Sequence, residues 1–265
     1  MGTNDFVVPV FESLAKKHDI IAVFTRAPKP MGRKHILTPS PVHVWAENRG
    51  LKVYTSIKEF DTVAQKPDMI IVFSYGVILR DDVLNAAPCI NVHPSSLPKY
   101  RGPSPIKTAI LNGDKDMDVC LMKMVPELDA GDILMRENIK IGENDTNAIM
   151  ENKVSNVAIE MLDKYLSNPN DYTAVPQGNN AIYTRKFTGD DEIIDWKNST
   201  RQIHNQIRAL GSGRTKINGI DVKILETEIE NGKLKIIKIQ PAGKNPMDWK
   251  SFINGLRGAE IKYGE

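Results

Sequence analysis

The sequence predicts an α/β protein with a doubly wound, mostly parallel sheet, followed by a small antiparallel β domain. Three observations carry this. Over roughly the first 170 residues, short apolar strand-like runs alternate with helix-periodic segments, the pattern of βαβ units. Residues 69–73 (Met-Ile-Ile-Val-Phe) are apolar throughout and bounded by Pro67 and Gly76, which marks a strand buried on both faces. Near the end, the Asn-Gly pairs 218–219 and 231–232 are flanked by alternating apolar and polar residues, a hairpin signature. With 265 residues, 41% hydrophobic and 26% charged, the chain suffices for one large and one small domain. The expected division is a large domain over 1–180, a linker over 181–198 and a small domain over 199–265.

Taken in order, the chain opens without a strand. Asn4 or Asp5 caps a helix to about residue 17, with Pro9 in its early turns and Phe6, Val10 and Leu14 at helical spacing. Residues 20–25 form a strand. Residues 26–41 read as a Pro/Gly-punctuated loop carrying Arg26, Lys29, Arg33 and Lys34 and no acidic residue. Such a loop suits phosphates, although solvated loops are often basic by chance. A helix over 41–49 ends at Gly50, a short strand covers 52–55, and a helix covers 57–65. The buried strand at 68–74 then leads through Tyr75, Gly76, Val77, Ile78 and Leu79 into the next helix.

Cys89–His93 reads as a short apolar strand. Its alternation puts Asn91 and His93 on one face, with Ile90 and Val92 on the other. Four prolines and a glycine in the next twelve residues exclude regular structure and fix a rigid loop. A helix over 105–111 closes at Gly113, and a second apolar strand, 119–124, leads into a loop carrying Asp129 and Asp132. Residues 132–141 hold an edge strand or strand pair. Residues 144–166 show apolar residues at 149, 154, 157, 161, 162 and 165, a helical spacing that packs on the sheet. From 176 to 197 the composition turns polar, with Ile193, Ile194 and Trp196 expected to strap this segment onto the large domain. A helix over 199–210 and strands over 215–225 and 233–240 complete the chain.

Composition narrows the function. No apolar run approaches the roughly 18 to 20 residues needed to cross a bilayer, and the first residues lack a basic-then-apolar secretion signal. A cytoplasmic protein with no membrane partner is expected. Cys89 and Cys120 are the only cysteines, each inside an apolar run, and they read as buried free thiols. The net charge of +2 hides an imbalance: residues 199–265 carry 12 Lys and Arg against 7 Asp and Glu, so that segment is +5 and the rest −3. This suits a polyanion partner and equally a merely soluble tail.

Asn, His and Asp at the strand ends of an α/β sheet suit acyl transfer to an amine. The amide donates to a developing oxyanion, the imidazole stabilises charge or moves a proton, and the carboxylate orients the imidazole or takes a proton through water. Spacing alone leaves a satisfied structural histidine as the commoner reading. The full string, Asn91-Val92-His93-Pro94-Ser95-Ser96-Leu97-Pro98-Lys99-Tyr100-Arg101-Gly102 with Leu128-Asp129-Ala130-Gly131-Asp132, resembles the signature of the folate-dependent formyltransferases, most of all their methionyl-tRNA members. The resemblance implies a catalytic trio of Asn91, His93 and Asp129. It implies that Tyr75, Gly76, Val77, Ile78, Leu79, Ser95, Ser96, Leu97 and Pro98 bind 10-formyltetrahydrofolate as co-substrate, with no metal. Ser96 departs from the leucine usual there.

The same resemblance extends to both ends. Pro39-Ser40-Pro41-Val42 closes a basic insertion that in this family contacts tRNA, which implies Arg26, Lys29, Arg33 and Lys34 as tRNA ligands. Gln240-Pro241-Ala242-Gly243-Lys244-Asn245-Pro246-Met247 is similar to the end of a tRNA-touching, OB-like barrel, here shortened by a strand or two, and adds Lys244. Gly2-Thr3-Asn4-Asp5-Phe6 aligns directly after the family's first strand, so roughly five or more β-forming residues are expected before Met1. The implied function is transfer of the formyl group to the α-amine of methionyl initiator tRNA by a monomer. Two rivals remain: a sugar-nucleotide N-formyltransferase, which shares the trio but not the two tRNA-side segments, and a noncatalytic RNA-binding protein on this scaffold, which would have lost part of the trio.

Overall fold

The computed structural model describes residues 1–32, 34–256 and 258–264. A 3-10 turn, Asp5–Val7, runs into helix α1 (Val8–Leu14), whose first turn holds Pro9, where a missing N–H leaves nothing unpaired. Asn4 occupies the cap position, but its side chain donates to Ser74 Oγ at 2.7 Å instead of capping the turn. β1 (Val23–Phe24) follows. Residues 26–41, expected as a plain loop, contain a hairpin of β2 (Lys29–Met31) and β3 (Ile36–Thr38); Arg33 lies outside the described residues. Helix α2 (Pro41–Asn48) starts where the Ser40 hydroxyl accepts the His43 N–H at 3.0 Å. β4 (Val53–Tyr54) pairs parallel with β1. The helix expected over 57–65 is a 3-10 helix, Ile57–Thr62, which rests Ile57 and Phe60 half-buried on the core around Phe24 and Tyr54.

β5 (Ile70–Phe73), α3 (Asp81–Leu84), β6 (Cys89–His93), β7 (Lys99–Arg101), α4 (Pro105–Asn112), β8 (Asp116–Lys123), β9 (Ile133–Lys140) and α5 (Asn147–Ser167) come next. The main sheet has the order β5-β6-β8-β9, with β5 and β6 parallel and β6 and β8 antiparallel. Helix α5 buries Met150, Val154, Ala158, Met161, Leu162 and Tyr165. The expected 149 is instead 42% exposed: a helical stripe fixes a face only to within one residue, and packing selects Met150. β10 (Ile182–Tyr183), α6 (Thr200–Leu210), β11 (Gly213–Ile217), β12 (Ile220–Glu230), β13 (Lys233–Pro241), β14 (Met247–Asp248) and α7 (Trp249–Gly255) complete the order.

The chain divides into two compact units. One comprises Met1–Pro103, Asp118–Ile139 and Glu151–Tyr183; the other comprises Ser104–Met117, Lys140–Met150 and Thr184–Glu265. In the first, β1 and β5 do not pair with each other. Met1 and Gly2 stand between them: the Gly2 N–H donates to the Phe24 carbonyl at 3.0 Å, and the Phe73 N–H donates to the Met1 carbonyl at 2.9 Å. A Cβ on Gly2 would lie 2.5 Å from the Phe11 ring, so only glycine fits this approach. Beyond these two residues the slot continues as a cleft of about 140 Å³ lined by Ile21, Val23, Phe24, Phe60, Ile70 and Ile71 among others.

In the second unit, α6 begins with a Ser199/Gln202 capping box and ends at left-handed Gly211. It packs Ile203 and Ile207 against Ile194, Ile224 and Ile236. Two of its buried polar residues, His204 and Arg208, are hydrogen-bonded. Arg208 donates to the carbonyls of Gly142 and Asp145 at 3.2 and 2.7 Å, and His204 bridges the Thr227 hydroxyl and the Glu143 carbonyl. Burial lowers the pKa of both groups. Strands β11-β12-β13-β14 form an antiparallel meander with two-residue turns at Asn218-Gly219 and Asn231-Gly232, all four residues at positive φ. Four strands in this order are an open sheet, short of a closed barrel among the described residues. Ile194 belongs to this unit, not to the large one as expected: its N–H pairs with the Arg214 carbonyl, and its side chain fills the space above Gly213.

The thiols of Cys89 and Cys120 are free and buried, and burial pushes each up to about 11. In a polypeptide that starts at Met1, the amine is partly buried, donates to the Ile71 carbonyl at 2.6 Å, and is pulled by desolvation from 8.0 down to about 5. The unfolded chain therefore binds this proton between about pH 5 and 8 and the folded chain does not, so stability rises with pH across that window. Thermal denaturation from pH 5 to 8 should show this rise, and Nα-acetylation should flatten it; the same slope in the acetylated chain would assign it to other groups.

Candidate active site

β6 carries two of the three expected catalytic side chains. All five of its residues are buried, with Asn91 at 8% and His93 at 5% exposed. Ladders on both edges fix their direction, with Asn91 opposite Val72 of β5 and Met122 of β8. The Asn91 carboxamide is hydrogen-bonded to no other described residue, so its N–H groups remain available to a substrate oxygen.

The His93 ring is oriented from the loop that follows it. Its Nε2 lies 3.0 Å from the Tyr100 carbonyl, which can only accept, so Nε2 carries the proton and Nδ1 is left facing Asp129. Nδ1 and Asp129 Oδ2 are 3.7 Å apart, beyond a direct hydrogen bond. Asp129 is itself held by the Gly102 N–H, which donates to Oδ2 at 2.8 Å. The Tyr100 carbonyl thus does the orienting that the sequence assigned to Asp129. A proton-bearing group between Nδ1 and Oδ2 would meet an acceptor on each side.

Three non-glycine residues at this site sit in the left-handed region: Ser74, Tyr100 and Asp129, at φ of 51°, 66° and 50°. Each such placement costs on the order of 1–3 kcal/mol unless its surroundings enforce it. At Asp129 the enforcement includes Gly131, where a Cβ would stand 1.8 Å from the Lys123 carbonyl oxygen. At Ser74 it comes from the start of the chain: besides the Asn4 bond, Thr3 Oγ1 donates to the Tyr75 carbonyl at 3.1 Å. The Arg26 guanidinium donates to the Gly76 carbonyl. Burial pushes the Tyr75 phenol up, opposed by the nearby Arg26 charge.

The residues assigned to folate divide by exposure. Gly76, Val77 and Ile78 are exposed, Ile78 at 78%, while Tyr75 and Leu79 are buried beneath them. Leu128, just before Asp129, is also exposed. Open backbone and apolar side chains on these two loops fit a flat heterocycle. Ser95 and Leu97 are 0% and 1% exposed, so they shape the 94–98 turn from behind. The Ser96 hydroxyl accepts the Asp118 N–H at 3.1 Å and ties the turn to β8; Pro98 is half-buried. Of the residues assigned to tRNA, Lys29 and Lys34 are exposed on the hairpin and Lys244 on the turn after β13. Arg26 is engaged with the Tyr75-Gly76 loop instead. Tyr100, Gly102 and Gln177 were not foreseen: the first two act through backbone groups, which sequence does not display, and Gln177 lies in a stretch that reads as linker. Among the described residues no group of three His, Cys, Asp or Glu is placed to hold a metal, and no helix is long and apolar enough to cross a membrane.

The sequence pattern of the formyl transferase family matches residues 1–166, and that of the formyl transferase C-terminal domain matches residues 186–235. The chain belongs to the formyl transferase family. This formyl transferase is 35% identical to the methionyl-tRNA formyltransferase of Macrococcus caseolyticus over 97% of its own length and 94% of that protein. It is 35% identical to that of Listeria monocytogenes over 96% and 94%. In fold it is similar to the N-formyltransferase from Helicobacter canadensis, solved in complex with folinic acid and dTDP-3-aminofucose. The TM-score is 0.67 at 24% identity, over 87% of this chain and 86% of that one. The methionyl-tRNA formyltransferase from Clostridium thermocellum gives 0.61 at 16% identity, over 75% and 91%.

Gly131→Ala should displace the loop that carries Asp129. Turnover in a formyl-transfer assay is expected to fall about 10²-fold, the scale of a misplaced catalytic group, with a lowered melting temperature. Wild-type turnover in this variant would show that the loop absorbs the shift without moving the carboxylate.

Proposed function

We propose that this formyl transferase acts as a cytoplasmic monomer and transfers the formyl group of 10-formyltetrahydrofolate to the α-amine of methionyl initiator tRNA. One observation carries the reading: His93 faces Asp129 across 3.7 Å, with Asn91 two residues earlier on the same strand, in a chain that matches methionyl-tRNA formyltransferases of several bacteria along nearly its whole length. Solved relatives with folinic acid or tetrahydrofolic acid support the folate class of the donor. The loop 75–79 and residues 95–98 are assigned to that donor. The catalytic role is assigned to the domain 1–180 and tRNA binding to 199–265; the stretch 181–198 joins them in sequence, and from Thr184 onward it belongs to the second compact unit. Lys29, Arg33 and Lys34 on one segment and Lys244 on another are assigned to tRNA phosphates, while Arg26 is assigned to the Tyr75-Gly76 loop.

The folate supplies an activated formyl group. The α-amine, with an ordinary pKa of about 8, is partly neutral near neutral pH. As it bonds to the formyl carbon, the carbonyl oxygen gains charge and receives the Asn91 N–H. The ammonium that forms loses its proton to Asp129, directly or through a water bridging Oδ2 and His93 Nδ1. With Nε2 committed to the Tyr100 carbonyl, Nδ1 and Asp129 Oδ2 are the two acceptors that such a water would meet. Breaking the bond to the folate nitrogen, which takes up a proton, yields the formylated amine and tetrahydrofolate.

Purified protein should formylate methionyl initiator tRNA in preference to amino-sugar nucleotides, and the reverse preference would support the sugar reading. Asn91→Ala, His93→Ala and Asp129→Ala should each lower turnover about 10²-fold or more with the fold retained; near-normal turnover removes that residue from the mechanism. Lys29→Glu with Lys34→Glu should raise KM for tRNA and flatten its salt dependence, because fewer counterions are released on binding. An unchanged salt slope would make the hairpin an ordinary basic loop.

A further inference from the structure

The polar segment that precedes β10 clamps the Asp129 loop. Its flanks are pinned to the same unit: Val175 and Ile133 exchange both backbone hydrogen bonds at 2.8 Å, and the Ile182 N–H donates to the Pro98 carbonyl at 3.2 Å. Between these points Gln177 Nε2 donates to the Asp129 carbonyl at 2.9 Å and to the Gly131 carbonyl at 2.7 Å. Its Oε1 accepts from Arg101 Nε at 3.0 Å and Arg101 Nη2 at 2.7 Å. Both donors and both lone pairs of the amide are thereby used. The amide has one possible orientation, since reversing it would set its oxygen against two carbonyls and its NH₂ against a guanidinium.

This clamp acts where the loop most needs one. Asp129 is left-handed, and the carbonyls that Gln177 grips bracket the Asp129–Gly131 turn. Arg101 is followed by Gly102, whose N–H holds the Asp129 carboxylate. The 101–102 segment thus reaches Asp129 twice, at its side chain through Gly102 and at its backbone through Arg101 and Gln177. The Arg101 guanidinium lies 6.0 Å from the centre of the Tyr183 ring of β10 and donates from Nη1 to the Tyr183 hydroxyl at 3.4 Å.

We propose that Gln177 is a positioning residue for formyl transfer, holding Asp129 through an Arg101–Gln177–carbonyl relay in the conformation from which its carboxylate faces His93. The inference rests on Asp129 taking part in the reaction. Gln177→Ala should lower kcat about 10²-fold, the cost of a loosened catalytic group, with KM for tRNA and folate changed less than about threefold. In an Asp129→Ala background the same change should cause no further loss, because the residue it positions is gone. Gln177→Glu, equal in size but turning an oxygen toward the two carbonyls, should reproduce the kcat loss and serves if the alanine variant fails to fold. A kcat within twofold of wild type in both Gln177 variants overturns the proposal, as does an equal loss with and without Asp129. Normal turnover of Asp129→Ala alone would instead overturn the catalytic reading on which it rests.

Discussion

The site depends on the ladders that β6 makes with both its neighbours. A strand paired on each edge and buried throughout cannot slip by one residue without exchanging its faces, which would replace Asn91 and His93 by Ile90 and Val92. The apolar residues of β5 and β8 make that slip costly, since polar side chains would enter the core on one side while apolar ones faced solvent on the other. The directions of a carboxamide and an imidazole are therefore set by the hydrophobic pattern of three strands. Nothing in the two side chains themselves does this.

Around the rigid strand, the other groups are delivered by backbone held in unfavourable conformations. Ser74, Tyr100 and Asp129 are left-handed at the site, whereas Asn218 and Asn231, also at positive φ, belong to tight hairpin turns. Each strained site residue is enforced by contacts distant in sequence: Asn4 on Ser74, Gly102 and Gln177 on Asp129, and the imidazole of His93 on the Tyr100 carbonyl. The result is a set of acceptor and donor groups whose directions are fixed by the fold before any ligand arrives.

The second compact unit is assembled from three separate stretches of chain, and buried polar groups join them. Arg208 and His204 on α6 satisfy backbone carbonyls of residues 142–145, and no carbonyl among those they reach is left to pay a desolvation cost. Its sheet is kept in register by two Asn-Gly turns, and its helix by a cap at each end. The excess of twelve basic over seven acidic residues in 199–265 lies in this unit, on a scaffold held by two cores around Ile224 and Ile239.

Local rules made much of this legible in the sequence. The strand Cys89–His93, the glycine after α4, the helix over 199–210 and the two Asn-Gly turns are decided by neighbours a few residues away, and each appears as expected. Strand period put Asn91 and His93 on one face, but the candidate trio with Asp129 came from the resemblance of the 91–102 and 128–132 strings to the formyltransferase signature. Only tertiary structure decided the rest. Residues 26–41 fold as a hairpin, the 57–65 helix stays a 3-10 turn, Ile194 packs on the small unit, and Arg26 turns to the Gly76 carbonyl. So too the orientation of His93 by the Tyr100 carbonyl and the grip of Gln177 on Asp129 connect backbone groups to partners 7 and 48 residues away. Every residue carries the same backbone donor and acceptor, so residue type cannot announce such bonds; they exist only once the chain is closed on itself.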